Sequence, residues 1–134
     1  MRKNKWVWMP HPGHFICSQD CQFFLNTYVG SYIVSTVGEY FPDDGVREIN
    51  AECRGIVLKG RGDERRADYM EKIGYKEIGC GRKYETFVFK AGKSKHKCCP
   101  YEAISFLEID SNGYNDPGDA YIGHYAMCKK WGNK

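Results

Sequence analysis

The segment 21–41 constrains the fold more than any other part of the chain. Phe23-Phe-Leu-Asn-Thr-Tyr-Val29 and Tyr32-Ile-Val-Ser-Thr-Val37 are dense in β-branched and aromatic residues, and only Gly30-Ser31 separates them. Such side chains lose rotamer freedom in a helix and pack well on a pleated surface. A two-residue loop that begins with glycine suits a type II′ turn, whose twist matches that of the flanking strands. That turn fixes the register: Val29 opposes Tyr32, Thr27 opposes Val34 and Leu25 opposes Thr36. One face then carries Phe23, Leu25, Thr27, Val29, Tyr32, Val34 and Thr36. The other carries Phe24, Asn26, Tyr28, Ile33, Ser35 and Val37. Both faces hold apolar groups, so the hairpin is expected at the centre of a sheet and covered on both sides.

Around this hairpin the patterns alternate between helix and strand. Val46, Ile49 and Cys53 recur at helical spacing before Gly55, and Ile56–Leu58 reads as a short strand. Asp63 is placed to cap a second helix with Ala67, Met70 and Ile73 inward, an Asp68–Lys72 pair on its surface, and Gly74 at its end. Tyr75–Ile78 and Tyr84–Phe89 read as strands joined by Gly79-Cys-Gly-Arg-Lys83, and residues 90–116 as loop-rich. A last helix opens at Asn115-Asp116-Pro117, with proline at its first position. It carries Tyr121, His124, Tyr125, Cys128 and Trp131 as one stripe. The prolines at positions 10 and 12 keep residues 1–13 out of helix, and this stretch reads as a loosely held arm docked by Trp6 and Trp8. A chain of 134 residues suffices for one ordinary domain and not two. The expectation is a single α+β domain over 14–132, with a central antiparallel hairpin-based sheet and about three helices.

Twenty basic against seventeen acidic residues give a net charge of +3, mild for a nucleic-acid module. No apolar run is long enough to span a bilayer, and the start lacks the apolar stretch of a signal peptide. Seven cysteines, an odd number, argue against a disulfide framework. A reducing cytoplasm is therefore expected, with no membrane partner.

Three constellations bear on function. His14, Cys17 and Cys21 lie within eight residues and form the most metal-like local group. Cys98, Cys99 or His96, and His124 with Cys128, are the residues able to complete a tetrahedral zinc site. No Cys-x2-Cys accompanies them, so no cofactor is fixed by motif. Structural zinc is the candidate, held by His14, Cys17 and Cys21 with a fourth ligand from Cys98 or Cys99, and buried thiols are the plainer reading. Gly79 and Gly81, flanked by Arg82 and Lys83, form a turn able to cradle an anion on backbone amides; a strand-to-strand turn needs the same glycines. Ten tyrosines and three tryptophans among lysines and arginines suit either a core or base stacking. No nucleophile or metallohydrolase motif occurs.

The run Thr27-Tyr-Val-Gly-Ser-Tyr-Ile-Val-Ser-Thr-Val-Gly-Glu-Tyr-Phe-Pro-Asp43 resembles a stretch found in small, uncharacterised bacteriophage proteins. So do Arg47-Glu-Ile49, Gly81-Arg-Lys-Tyr-Glu-Thr-Phe-Val-Phe89 and Gly123-His-Tyr-Ala-Met-Cys-Lys-Lys-Trp131. The resemblance spans most of residues 8–131. It implies a phage accessory protein acting in the infected bacterial cell, and it carries over no catalytic residue. The expected function is non-catalytic binding, with a host protein as the first partner and Trp6 and Trp8 as contacts. The alternatives are a single-stranded nucleic-acid or nucleotide binder using Arg82 and Lys83, and a cysteine- or zinc-dependent enzyme. The oligomeric state is not legible.

Overall fold

The computed structural model describes residues 5–11, 20–79 and 81–133. Strand β2 (Cys21–Val29) and strand β3 (Tyr32–Tyr40) form the expected hairpin, with Val29 opposite Tyr32, Thr27 opposite Val34 and Leu25 opposite Thr36. Gly30 sits at φ 68° and supplies the left-handed conformation that the first turn position requires. Strand β4 (Tyr84–Lys93) pairs with the other side of β3, so the hairpin is internal to the sheet.

Three further strands complete the antiparallel sheet. Strand β1 (Trp6–Trp8) pairs with the end of β2, Trp6 opposite Val29 and Trp8 opposite Thr27. Within the stretch 1–13, expected as a loosely held arm, residues 6–8 form an edge strand, because the open side of β2 offers a ladder that propensity alone does not reveal. Strands β5 (Tyr101–Ala103) and β6 (Asp110–Tyr114) both pair with β4, inside the stretch read as loop. Their sequences are poor strand formers, and an existing strand templates them. The converse holds for Ile56–Leu58 and Tyr75–Ile78, which are not strands. Lys76 makes an isolated bridge to Tyr40, and Leu58 is buried between helices.

Helix α3 (Pro117–Gly132) lies across the face that carries Thr27, Val29, Val34, Thr36, Thr86 and Val88. The Asp116 side chain caps it by accepting from the Asp119 N–H at 3.1 Å. Its buried line is Ala120, His124, Cys128 and Gly132. Val29, Val34, Val88 and Cys128 form the main core, with Trp6, Tyr32, Met127 and Trp131 packed around it. Each of those valines contributes roughly 1.5–3 kcal/mol by leaving water. The other face is covered near β5, where Met9, Ile33 and Cys99 cluster and the rings of Tyr28 and Tyr101 stack at 3.6 Å. Phe24 stays partly exposed there, so cover on that side is incomplete.

Helix α1 (Asp44–Cys53), capped by Asp43, and helix α2 (Asp63–Lys72) build a second small core on Phe41, Ala51, Leu58 and Tyr69. The Asp68–Lys72 pair forms at 2.9 Å. The expected inward faces are corrected. Val46, Ile49 and Ala67 are exposed, and Arg47, Ala51 and Tyr69 are buried. Arg47 is accommodated because its guanidinium donates to the Pro42 carbonyl, pairs with Asp44 and lies over the Phe41 ring. Gly62 rather than Asp63 is the N-cap of α2. Asp63 opens the first turn, where its charge favours the helix N-terminus. The three helices and the six-stranded sheet make one α+β domain. Among the described residues no helix is long and apolar enough to cross a membrane.

At Gly123 helix α3 packs directly on Tyr114 of β6. A Cβ there would enter the Tyr114 ring. Alanine is favoured over glycine in a helix interior by about 1 kcal/mol, yet Gly123→Ala is expected to lower stability by about 1–3 kcal/mol through overpacking. A lower urea midpoint at unchanged m-value is the readout.

Candidate metal centre and binding surface

Two separate segments converge on Cys99. The Met9 N–H donates to the Asn26 carbonyl at 2.7 Å, and the Asn26 side chain donates to the His11 carbonyl at 3.4 Å. These bonds carry the chain beyond β1 alongside β2 and set His11 in place. On the other side the Ser94 N–H donates to the Pro100 carbonyl at 3.1 Å and closes the loop between β4 and β5. Cys98 and Cys99 stand at the end of that loop, Cys99 buried against Met9 and Ile33 and Cys98 exposed. The Cys99 Sγ lies 2.9 Å from His11 Nε2 and 3.6 Å from the Cys98 Sγ. The three ligand atoms all fall within 4.8 Å of one another.

Burial, and then the hydrogen bond to Cys98, push the Cys99 thiol up to about 11. At neutral pH the metal-free Cys99 is a thiol beside an imidazole, not the thiolate that nucleophilic catalysis needs. The cluster differs from the ligand set expected from sequence. Cys98 and Cys99 belong to it. Cys21 is buried at the start of β2 opposite Tyr40 and is not a member, and His14 and Cys17 lie outside the described residues. His96 pairs with Glu102 at 3.5 Å. His11 was missed in the sequence because its partners lie 88 positions away; its one local signal is a ligand-type residue held between two prolines.

His124 and Cys128 do not form a metal pair. Both are buried, and both imidazole nitrogens are engaged: Nε2 with Thr27 Oγ1 at 2.8 Å and Nδ1 with Thr36 Oγ1 at 2.7 Å. Thr36 Oγ1 in turn meets Thr86 Oγ1 at 2.5 Å. A neutral imidazole has one donor and one acceptor, and hydroxyls satisfy either, so the network is complete without charge. Burial holds the His124 pKa down at about 4.

Beside His124 the surface is aromatic. Trp8 is 49% exposed with its ring 5.4 Å from the His124 ring, and Tyr121, Ile122 and Tyr125 stand 57%, 71% and 48% exposed on the outer side of α3. Trp6 meets Tyr125 edge-on at 5.3 Å, and Phe23 meets Tyr121 at 5.5 Å. The two tryptophans singled out in the sequence thus divide: Trp6 packs under α3, and Trp8 presents its ring to solvent.

The basic turn is a tight connection with Gly81 at φ 72°. Three described amides of the turn are engaged within the fold. Arg82 N–H donates to the Gly79 carbonyl at 2.9 Å, Gly79 N–H to the Arg82 carbonyl at 3.4 Å, and Lys83 N–H to Asn115 Oδ1 at 3.1 Å. The Glu85 carboxylate also lies against Gly79. Arg82 and Lys83 are exposed, so both side chains are open to solvent beside the turn.

No family model, curated protein or solved structure matches this chain.

Proposed function

We propose that this chain is a phage accessory protein that acts in the cytoplasm of the infected bacterium by binding a host protein, without catalysing a reaction. The observation that carries this reading is the aromatic surface formed by Trp8, Tyr121 and Tyr125. Exposed aromatics set in a rigid surround are the usual anchors of protein interfaces, because they bury much area at little cost in side-chain entropy. The surround here is stiff: Trp8 belongs to a paired strand, and the tyrosines belong to a helix locked to the sheet through His124. The mild net charge of +3 favours a protein partner over a polyanion.

Tagged wild-type protein is expected to retain a discrete protein from bacterial lysate in moderate salt. Trp8→Ser combined with Tyr125→Ser should release it, and a cooperative unfolding transition retained by the double variant shows that the loss is not one of folding. Equal retention by both proteins contradicts the reading. A wild-type dimer in sedimentation that the same double variant abolishes also contradicts it, and gives the surface to a second copy of the chain.

One observation favours nucleic acid as a second reading: the Lys129 ammonium lies 4.7 Å from the centre of the Tyr125 ring, a cation beside a stacking platform. Quenching of tryptophan fluorescence by a single-stranded oligonucleotide, weakening steeply with salt, is the result that supports it.

A further inference from the structure

We propose that His11, Cys98 and Cys99 are ligands of a zinc ion that ties the β4–β5 loop to the end of β1. The donor set argues for the metal. Two sulfurs and an imidazole nitrogen, with no carboxylate among them, suit zinc and exclude calcium and magnesium, which take oxygen ligands.

The spacing argues for it as well. Ligands of tetrahedral zinc, with Zn–S near 2.3 Å and Zn–N near 2.0–2.1 Å, stand roughly 3.5–3.8 Å apart. The Cys98 and Cys99 sulfurs are 3.6 Å apart, which is already that edge. The His11–Cys99 separation of 2.9 Å is shorter. It opens by roughly 0.6–0.7 Å, to the S–N edge of the tetrahedron, when a dication replaces the proton between them. Adjacent cysteines in an extended strand point to opposite sides; here they converge because the turn closed by the Ser94–Pro100 bond ends at them. Two distant segments, fixed by the Asn26 bonds on one side and the stacked Tyr28 and Tyr101 on the other, thus bring three soft ligands to one point.

A consequence for stability follows. Met9, Ile33 and Cys99 form a small core on the face of the sheet that α3 leaves open. A metal there would crosslink β1 to the β4–β5 loop, and metal binding to a site that exists only in the folded chain contributes directly to folding.

The test is metal content and affinity of full-length protein expressed in zinc-supplemented medium and purified under reducing conditions without chelator. Wild type is expected to carry about one zinc per chain, with His11, Cys98 and Cys99 as three of the four ligands that a tetrahedral ion takes. Replacing zinc by cobalt should give thiolate-to-cobalt charge-transfer absorption with the intense visible bands of a tetrahedral ion. Cys98→Ser, at an exposed position that leaves the core intact, should reduce the charge-transfer band and weaken zinc binding by more than the ~10–100-fold typical of outer-shell partners. His11→Ala should weaken it comparably, and Cys21→Ser and Cys53→Ser should not. Chelation should lower the melting temperature of wild type and leave that of Cys98→Ser unchanged. Three results overturn the assignment: wild type that takes up no zinc, full zinc retention by both Cys98→Ser and His11→Ala, or a Cys98–Cys99 disulfide in protein purified under reducing conditions.

Discussion

Between pH 6.5 and pH 4 the protein should lose about 3 kcal/mol of stability through His124 alone. The ring is fully buried and its pKa is held near 4, against 6.5 for an unperturbed histidine. The unfolded chain therefore takes up a proton through this interval and the folded chain does not. Stability is complete above pH 6.5, falls as the pH drops toward 4, and levels off below it. Each pH unit of displacement corresponds to about 1.4 kcal/mol. Carboxylates titrate in the same range and in both directions. Salt bridges hold Asp68 and Asp110 down, and burial raises Glu85. A difference measurement removes them. His124→Gln should be less stable than wild type above pH 7, since two buried hydroxyls lose a partner. Its stability should then fall less steeply from pH 6.5 to 4, the two curves converging by about 3 kcal/mol. Urea unfolding at pH 7.5, 6.0, 5.0 and 4.2 gives both curves, and parallel curves would show that His124 is not buried as a neutral ring.

The second large effect is expected at Gly38, where alanine should cost about 3 kcal/mol. Gly38 lies in the middle of the sheet, opposite Phe23 on one side and Tyr84 on the other. The two rings meet edge-on above it at 5.1 Å, filling the space a side chain would take. A Cβ would enter the Tyr84 ring and come within 2.7 Å of the Lys83 carbonyl oxygen. Neither obstacle can retreat. The carbonyl accepts the Glu39 N–H at 3.1 Å, and the Tyr84 ring is held between Phe23 and the Glu39 carboxylate, to which its hydroxyl donates at 2.6 Å. Because the clash is with Tyr84, Tyr84→Ala in the Gly38→Ala background should recover part of the loss. Thermal unfolding of the two single variants and the double variant tests this coupling, and strictly additive losses would place the conflict elsewhere.

Much of the sheet was legible because its turn chemistry is local. Gly30-Ser31 set the phase of β2 and β3, and once the phase is known Thr27 and Thr36 fall on the same face as Val29 and Val34. His124 and Cys128 were legible as members of one helical stripe, while Tyr121 and Tyr125 of that stripe are exposed and Ala120 and Gly132 take the buried positions. What joins His124 to Thr27 and Thr36, the crossing of α3 over the hairpin, is tertiary. Strands β1, β5 and β6 were illegible for a different reason. Asp110-Ser-Asn-Gly-Tyr114 has no intrinsic preference for strand, and only the free edge of β4 makes it one. On α2 Met70 and Ile73 pack inward as their spacing predicts and Ala67 does not, and on α1 apolarity is a poor guide to burial. Arg47 is buried because hydrogen bonds and a ring receive it, and Ile49 faces water. At the metal cluster Cys98 and Cys99 were legible as ligand-type residues, and His11 was not, because its partners arrive from the far side of the chain.

The reading as a partner-binding domain turns on whether the Trp8–Tyr125 surface is covered in the cell. A photo-cross-linking residue, p-benzoylphenylalanine, placed at Tyr121 and in parallel at Glu71, which is exposed on α2 away from that surface, decides this in living bacteria. Irradiation should give one discrete higher-mass product from position 121, containing a bacterial protein, and none from position 71. The same pattern of products at both positions, or none at either, would contradict the account.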